Sequence, residues 1–365
     1  LSGIGVIFSS PAEAQPFPTF PTHPFTVGNT YMVNTTEDLG GSTGVGDCLH
    51  PVTGESCSFR EAVNQYNLDT SVAPSPFLYV INQDQITFAP AQCAPTNNCP
   101  DPQYDIATGN VVFDNPNGVS VTVTGNGQGV TQIYGGGSAD LQIDGGYGVG
   151  AVTFSDLAIS SGYSPDCGGG ILNDGGTVTV NGSTLINNTA VSDGGGICNL
   201  NGTVNLNEAT VIGNNTPEQG VDGGGIYNSG GLLQISESII VENGAGTAGG
   251  GIYNAAVGGT SAWLFSTAVD YNGAGIDGGG IYNGNFLEVL PASTVEYNTA
   301  GTYGGGVYNA CNAFYPGGGV GVINNHPDNV YQQPCSSFPG LPPGFVFPGF
   351  PTGLPPGIGL IDPVP

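Results

Sequence analysis

Three aspartates, Asp193, Asp222 and Asp277, each stand immediately before a run of three glycines. Paired carboxylates can do acid–base work, and an inverting glycoside hydrolase holds two of them about 6.5–9.5 Å apart. At equivalent positions of adjacent windings they would lie nearer to about 5 Å, the spacing of paired strands. Asp277 falls two repeats beyond Asp222. The same three residues are candidate ligands for calcium, a hard cation that takes several oxygens. The calcium-binding nonapeptide GGxGxDxUx does not occur, however. The plainer reading is that each aspartate caps its own turn through a bond to backbone. Other chemistries lack their parts. A uronate lyase typically needs a basic residue beside the substrate carboxylate, and Arg60 is the one candidate among Lys and Arg. Neither Gly-His-Gly nor Arg-x-Lys, strings typical of pectinase-like hydrolases, is found. A phosphate loop fails for want of lysine, and no CxxC accompanies the histidines at 23, 50 and 326. The expectation is a protein without a catalytic set and without a cofactor, calcium being the one ion to consider.

Composition narrows the partners. The chain has 365 residues, 28 acidic and one basic, for a formal charge of −27. Such a balance forbids the counterion-displacing contacts that nucleic acid requires, and disfavours anionic lipid and polyanionic substrates. No stretch approaches the roughly 20 apolar residues of a membrane span. Eight cysteines suit an oxidising compartment. Proximity pairs Cys48 with Cys57 and Cys93 with Cys99. Cys311 and Cys335 bracket the end of the repeats, which leaves Cys167 and Cys198 for each other, although one sequence does not settle connectivity. Residues Ile4 to Phe8 form a short apolar run ahead of Ala12-x-Ala14, as at a secretory cleavage site.

The elements that must position these residues are written in a repeat. Gly-Gly-Gly-apolar-x-Asn recurs at Gly168–Asn173, Gly194–Asn199, Gly223–Asn228, Gly249–Asn254, Gly278–Asn283 and Gly304–Asn309, at spacings of 26, 29, 26, 29 and 26 residues. A second landmark follows at Asn188, Asn214, Asn243, Asn272 and Asn298. Extra residues near Thr216–Gly220 and Val257–Ser261 account for the longer windings, as loops on a solenoid do. Between landmarks the chain alternates with period two, as in Thr177–Val180 and Leu233–Ser236, which is strand patterning with one face inward. The prediction is an all-β fold, a right-handed parallel β-helix, three-sided and of about ten coils, hence a rod about 50 Å long at the strand spacing. Asn173, Asn199, Asn228, Asn254, Asn283 and Asn309 should stack as an amide ladder. Tyr227, Tyr253, Tyr282 and Tyr308 form a column beside it, read as structural rather than as a sugar-stacking face.

Cys57 to Tyr66 reads as a short amphipathic helix. Ser58 and Glu61 have capping-box spacing, and Phe59, Ala62, Val63 and Tyr66 make one apolar face able to close the end of the rod. The run Cys57-Ser58-Phe59-Arg60-Glu61-Ala62, preceded by Tyr31–Asp38, resembles the CSLREA motif, with phenylalanine in place of leucine. That motif typically precedes β-helical repeats in secreted bacterial and archaeal surface proteins. The GGGIYN repeats are similar to those of the same proteins and of polymorphic outer-membrane protein passengers. The resemblance covers about residues 30–325 and implies a β-helix at the cell exterior, with no particular chemistry. The tail departs from that family's more familiar sorting anchors.

The chain divides into residues 1–29 (signal remnant or Pro/Phe-rich arm), 30–118 (cap region), 119–330 (β-helix) and 331–365 (tail). Ser336–Pro365 holds nine prolines and a single charge. Phe345, Phe347 and Phe350 there, with Phe17 and Phe20 near the start, make two apolar, extended arms. The leading expectation is an extracellular structural subunit that associates with itself, through its ends and arms, into a filament or sheet. The alternative is a cell-surface adhesin binding glycans through the two long loops, close to Trp263; a polysaccharide-acting enzyme is a distant third.

Overall fold

The computed structural model describes residues 27–34, 48, 56–68, 83–88, 103–106, 109–137, 141–145, 150–310 and 313–333. The two phenylalanine arms and the cysteines at 93, 99, 311 and 335 lie outside the described residues. Within them the chain winds as a parallel β-solenoid. One winding shows why. Thr203–Asn207 alternates outward Thr203, Asn205 and Asn207 with inward Val204 and Leu206, which are fully buried. A corner follows, then Thr210–Ile212 with Val211 inward, the two-residue strand Asn215–Thr216, and Ile226–Ser229 with Ile226 inward. The next winding repeats the path, so Val204 lies opposite Leu233 and Leu206 opposite Ile235. Burying each such side chain contributes about 1.5–3 kcal/mol.

These strands stack into a first sheet of ten strands, from Val27–Val33 to Phe314–Pro316, and a second and a third of nine each. The number of sides is the first correction. From Tyr163–Ser164 to Thr299–Ala300, two-residue strands form a narrow fourth sheet of six. The rod also makes about eight turns rather than ten. Its first strand, Val27–Val33, is followed by the helix before the next strand of that sheet, Gln83–Phe88. It therefore adds a rung to one sheet without a whole coil. Between the first and second sheets one residue per winding takes the left-handed conformation: Asp156, Glu208, Glu237, Ser266 and Ala292, with φ of +49° to +65°. Positive φ at one residue turns the strand sharply without lengthening the winding.

Each glycine of the triplet answers a different constraint. Gly223 has φ +68°, disfavoured for a residue with a Cβ; a Cβ on Gly224 would come within 2.3 Å of the Gly244 carbonyl carbon. One on Gly225 would meet the Gly251 carbonyl oxygen at 2.6 Å and the Asn243 amide carbon at 3.0 Å.

The amide ladder forms as the spacing requires. Nδ2 donates to Oδ1 of the next winding from Asn173 to Asn199 (2.8 Å), Asn228 (2.8 Å), Asn254 (3.0 Å), Asn283 (2.9 Å) and Asn309 (2.7 Å) in turn. Gln332 takes up the last donor at 2.6 Å. At the other end Asn173 follows Ile143 in the register, and its Oδ1 has no partner. A second ladder runs through Asn188, Asn214, Asn243, Asn272, Asn298 and Asn325 at 2.9–3.0 Å. Each of these Oδ1 atoms also accepts a backbone N–H, for instance Asn188 N–H to Asn214 at 3.0 Å. Cys167–Cys198 and Cys48–Cys57 pair as assigned, with Cα separations of 5.7 and 5.5 Å.

The helix, Phe59–Asn67, closes the N-terminal end. Ser58 Oγ accepts from Glu61 N–H at 3.2 Å and Glu61 Oε2 accepts from Ser58 N–H at 2.8 Å, the reciprocal box expected. Phe59, Ala62, Val63 and Tyr66 are all buried, with Phe59 and Tyr66 against Phe113 at ring separations of 6.4 and 6.2 Å. Arg60, the lyase candidate, donates to the carbonyls of Gly109 and Asn110 at 2.6 Å each, fastening the helix to the rod.

Asn228→Ala should strand the buried Asn254 acceptor and leave the Asn199 amide with only the carbonyls of Gly202 and Leu232, an unpaired buried group costing about 1–3 kcal/mol. Urea unfolding should then show a loss of about 3 kcal/mol. Asn205→Ala, on the outward face of the same solenoid, should stay within about 0.5 kcal/mol of the parent.

Candidate functional site

The aspartates sit at the corner that leads into the glycine triplets, and their company differs from the expectation. Asp193 Oδ1 accepts the N–H of Asp222 at 2.8 Å, Asp222 Oδ1 that of Ala248 at 3.0 Å, and Asp277 Oδ1 that of Tyr303 at 3.2 Å. Each thus binds the backbone of the next winding instead of capping its own turn. Asp193 and Asp222 are neighbours, but Ala248 occupies the position between Asp222 and Asp277. The three carboxylates are therefore not brought together. Among the described residues no three His, Cys, Asp or Glu side chains meet as a metal-holding group.

Burial, then the charge of Asp193, pushes the Asp222 carboxyl up to about 6, against the opposing pull of its bonds from Ala248 N–H and the Tyr253 hydroxyl. Burial raises Asp193 and Asp277 as well. Beside them the tyrosine column stands as expected: Tyr227, Tyr253, Tyr282 and Tyr308 stack at ring separations of 5.3, 4.6 and 5.0 Å, within 10° of parallel. Tyr331 prolongs it at 5.2 Å. Burial and then Asp222 raise the Tyr253 hydroxyl, and burial and then Asp277 raise Tyr308 to about 12. The Tyr253 hydroxyl donates to Asp222. The arrangement is a hydrogen-bonded seam between windings. Asn214 begins an Asn-x-Thr sequence of the kind that accepts N-glycans, but its side chain is wholly buried in the second ladder.

A concave site lies elsewhere, on the outer face of the first sheet. Thr179, Asn205, Gln234 and Trp263 stand opposite one another on four successive strands. With Asn207 and Phe265 they line a groove of about 450 Å³. Sequence reasoning marked Trp263 only as a neighbour of the Val257–Ser261 loop and missed the rest. The signal was present: these are the central outward positions of strands one repeat apart. An outward alternating residue is nevertheless the commonest thing a strand offers, and nothing singled these out.

No family model matches the chain, and neither a curated protein nor a solved structure resembles it.

Because the Asp222 carboxyl is raised in the fold, its protonated form is the favoured one. Its contribution is whole below the ordinary carboxylate range and is lost as pH rises through about 6. Thermal melts at pH 4.5 and 7.5 should therefore show the parent more stable at the lower pH. Asp222→Asn keeps an acceptor for Ala248 N–H without the charge, and should narrow that difference. An unchanged difference would count against a carboxyl raised by burial and by the charge of Asp193.

Proposed function

We propose that the chain is an extracellular structural rod that joins a second copy of itself through its C-terminal end. The observation carrying this reading is the inequality of the two ends. The helix covers the N-terminal end, whereas Phe314, Val320, Val322 and Val330 of the last winding pack on the core while only partly buried. Among the described residues the last strands, Phe314–Pro316, Gly321–Ile323 and Val330–Gln332, are each the terminal strand of their sheet. Apolar side chains beside unpaired strand edges are the features through which sheets associate. Contact between two such ends is isologous and closes as a pair of rods laid end to end. A head-to-tail filament needs both ends open, and the helix covers one; extension beyond pairs would fall to the phenylalanine arms.

Location outside the cell is supported by the two disulfides, which persist in oxidising compartments, and by the resemblance of Cys57–Ala62 and the repeats to secreted surface proteins. No helix among the described residues is long and apolar enough to cross a membrane.

Sedimentation velocity and negative-stain microscopy of the full chain test the reading. Doublets of rods joined at one end are expected, dissociating on dilution. Val322→Asp and Val330→Asp, at the bare end of the core, should yield single rods with an unchanged far-ultraviolet spectrum. Single rods from the parent at every concentration, or doublets undiminished in both variants, would sink it.

A further inference from the structure

The groove on the first sheet carries a second, independent inference. Its floor follows a row across four windings: Thr179, Asn205 and Gln234 are polar and uncharged, and Trp263 follows with an indole 39% exposed; Glu288, opposite Trp263 on the next strand, is not among the lining residues. The parallel row two residues on runs Asn181, Asn207, Ser236 and Phe265, the last 47% exposed. The polar side chains hold one another in place. Asn207 Nδ2 donates to Asn181 Oδ1 at 2.9 Å and Asn207 Oδ1 accepts from Ser236 Oγ at 2.7 Å. Asn205 Nδ2 reaches Thr179 Oγ1 at 3.4 Å. The aromatic side is braced as well: the Trp263 ring lies 5.5 Å from Phe286, which lies 5.6 Å from Tyr315.

We infer that this groove binds an uncharged oligosaccharide. A pyranose presents a flat C–H face, which packs on an exposed aromatic ring, and a rim of hydroxyls, which both donate and accept. Amides and hydroxyls answer both roles. The groove pairs the two surfaces at a volume within the range of small-ligand clefts, about 300–1,000 Å³. Charge selects the class of glycan. No charged side chain lines the groove in a chain of −27, so nothing there would hold a uronate or a sulfate against the surrounding field. A peptide adding as a strand is disfavoured, because the strands under the groove are paired on both sides and offer no free edge. The support is rigid, since the floor is a continuous parallel sheet whose inward side chains Val204, Leu233, Ile235 and Leu264 are buried. Ligand polar contacts would meet side chains already oriented.

Trp263 is the single tryptophan, so indole emission reports on this groove alone. The full chain would be titrated with cellohexaose, maltohexaose, chitohexaose and mannohexaose, and with polygalacturonate as the anionic comparison. At least one uncharged hexasaccharide should change the emission saturably, and polygalacturonate should not. Gln234→Ala and Asn205→Ala should each weaken that binding about tenfold. Trp263→Ala, followed by calorimetry, should abolish it. Tyr271→Ala, which removes an exposed ring at another corner of the rod, should leave it unaltered. The inference is overturned if none of the four neutral hexasaccharides gives a saturable change, if polygalacturonate binds as well as they do, or if binding survives Gln234→Ala and Asn205→Ala at parental strength.

Discussion

A buried primary amide must satisfy two N–H donors and one carbonyl, and in this rod it does so largely by bonding the windings on either side. Asn228 illustrates the constraint. Its Oδ1 accepts from Asn199, while its Nδ2 donates to Asn254 Oδ1 and to the carbonyls of Gly231 and Ser261. A slip of one residue would turn the amide outward and point its neighbours' amides at nothing. Register is therefore held by unpaired polar groups that cannot be afforded inside, as well as by the apolar core, which would tolerate exchange of one valine or leucine for another. Length changes are pushed to places where no ladder residue moves. Asn199 and Asn228 remain partners across 29 residues, and Asn228 and Asn254 across 26. The extra chain leaves between Asn215–Thr216 and Ile226–Ser229 in one winding, and between Ile252–Asn254 and Ser261–Phe265 in the next.

Stacking like on like is favourable for amides and for phenol rings and unfavourable for carboxylates, and the corner column reflects the difference. The asparagines and tyrosines run uninterrupted through successive windings, whereas Asp193 and Asp222 are followed by Ala248 before Asp277. Burial, and then the charge of Asp193 in the one adjacent pair, raises the Asp222 carboxyl, the cost of placing two half-buried anions on neighbouring windings. What offsets that cost is the next winding's N–H, received by each aspartate in turn. The acid residues thus belong to the same class of device as the asparagines. They are less suited to repetition because they carry charge.

The repeat spacing made the stacked windings legible, and with them the Asn173 ladder and the tyrosine column, because a solenoid converts equal phase into contact; the Cys167–Cys198 link came instead by elimination among the cysteines. The capping box and the 59, 62, 63, 66 face likewise carried the helix. Four features escaped for physical reasons. A strand of two residues, such as Thr189–Ala190, is too short to show alternation, so the fourth sheet had no pattern to read. The Asn188 series was noticed as a landmark but not as a ladder, since asparagine is equally at home in a turn that needs no neighbour. The aspartates were assigned to their own turns, because a bond to the following winding and a bond within the turn call for the same residue type. The groove escaped because outward positions are free of the register constraint.

That freedom is the reason a groove can arise there at all. Inward positions of the first sheet repeat a narrow set, Val178, Val204, Leu233, Ala262 and Leu287, because the core of each winding must meet the next. Outward positions on the same strands change from threonine to asparagine, glutamine, tryptophan and glutamate over five windings without disturbing the sheet. A solenoid therefore separates two tasks that a globular core entangles: stacking is fixed by columns of identical residues, and recognition can vary winding by winding on the outside. The widest departure from polar uniformity on this face is the meeting of Gln234 with Trp263. It coincides with the groove, and it lies in the middle of the rod, away from both the covered and the bare end.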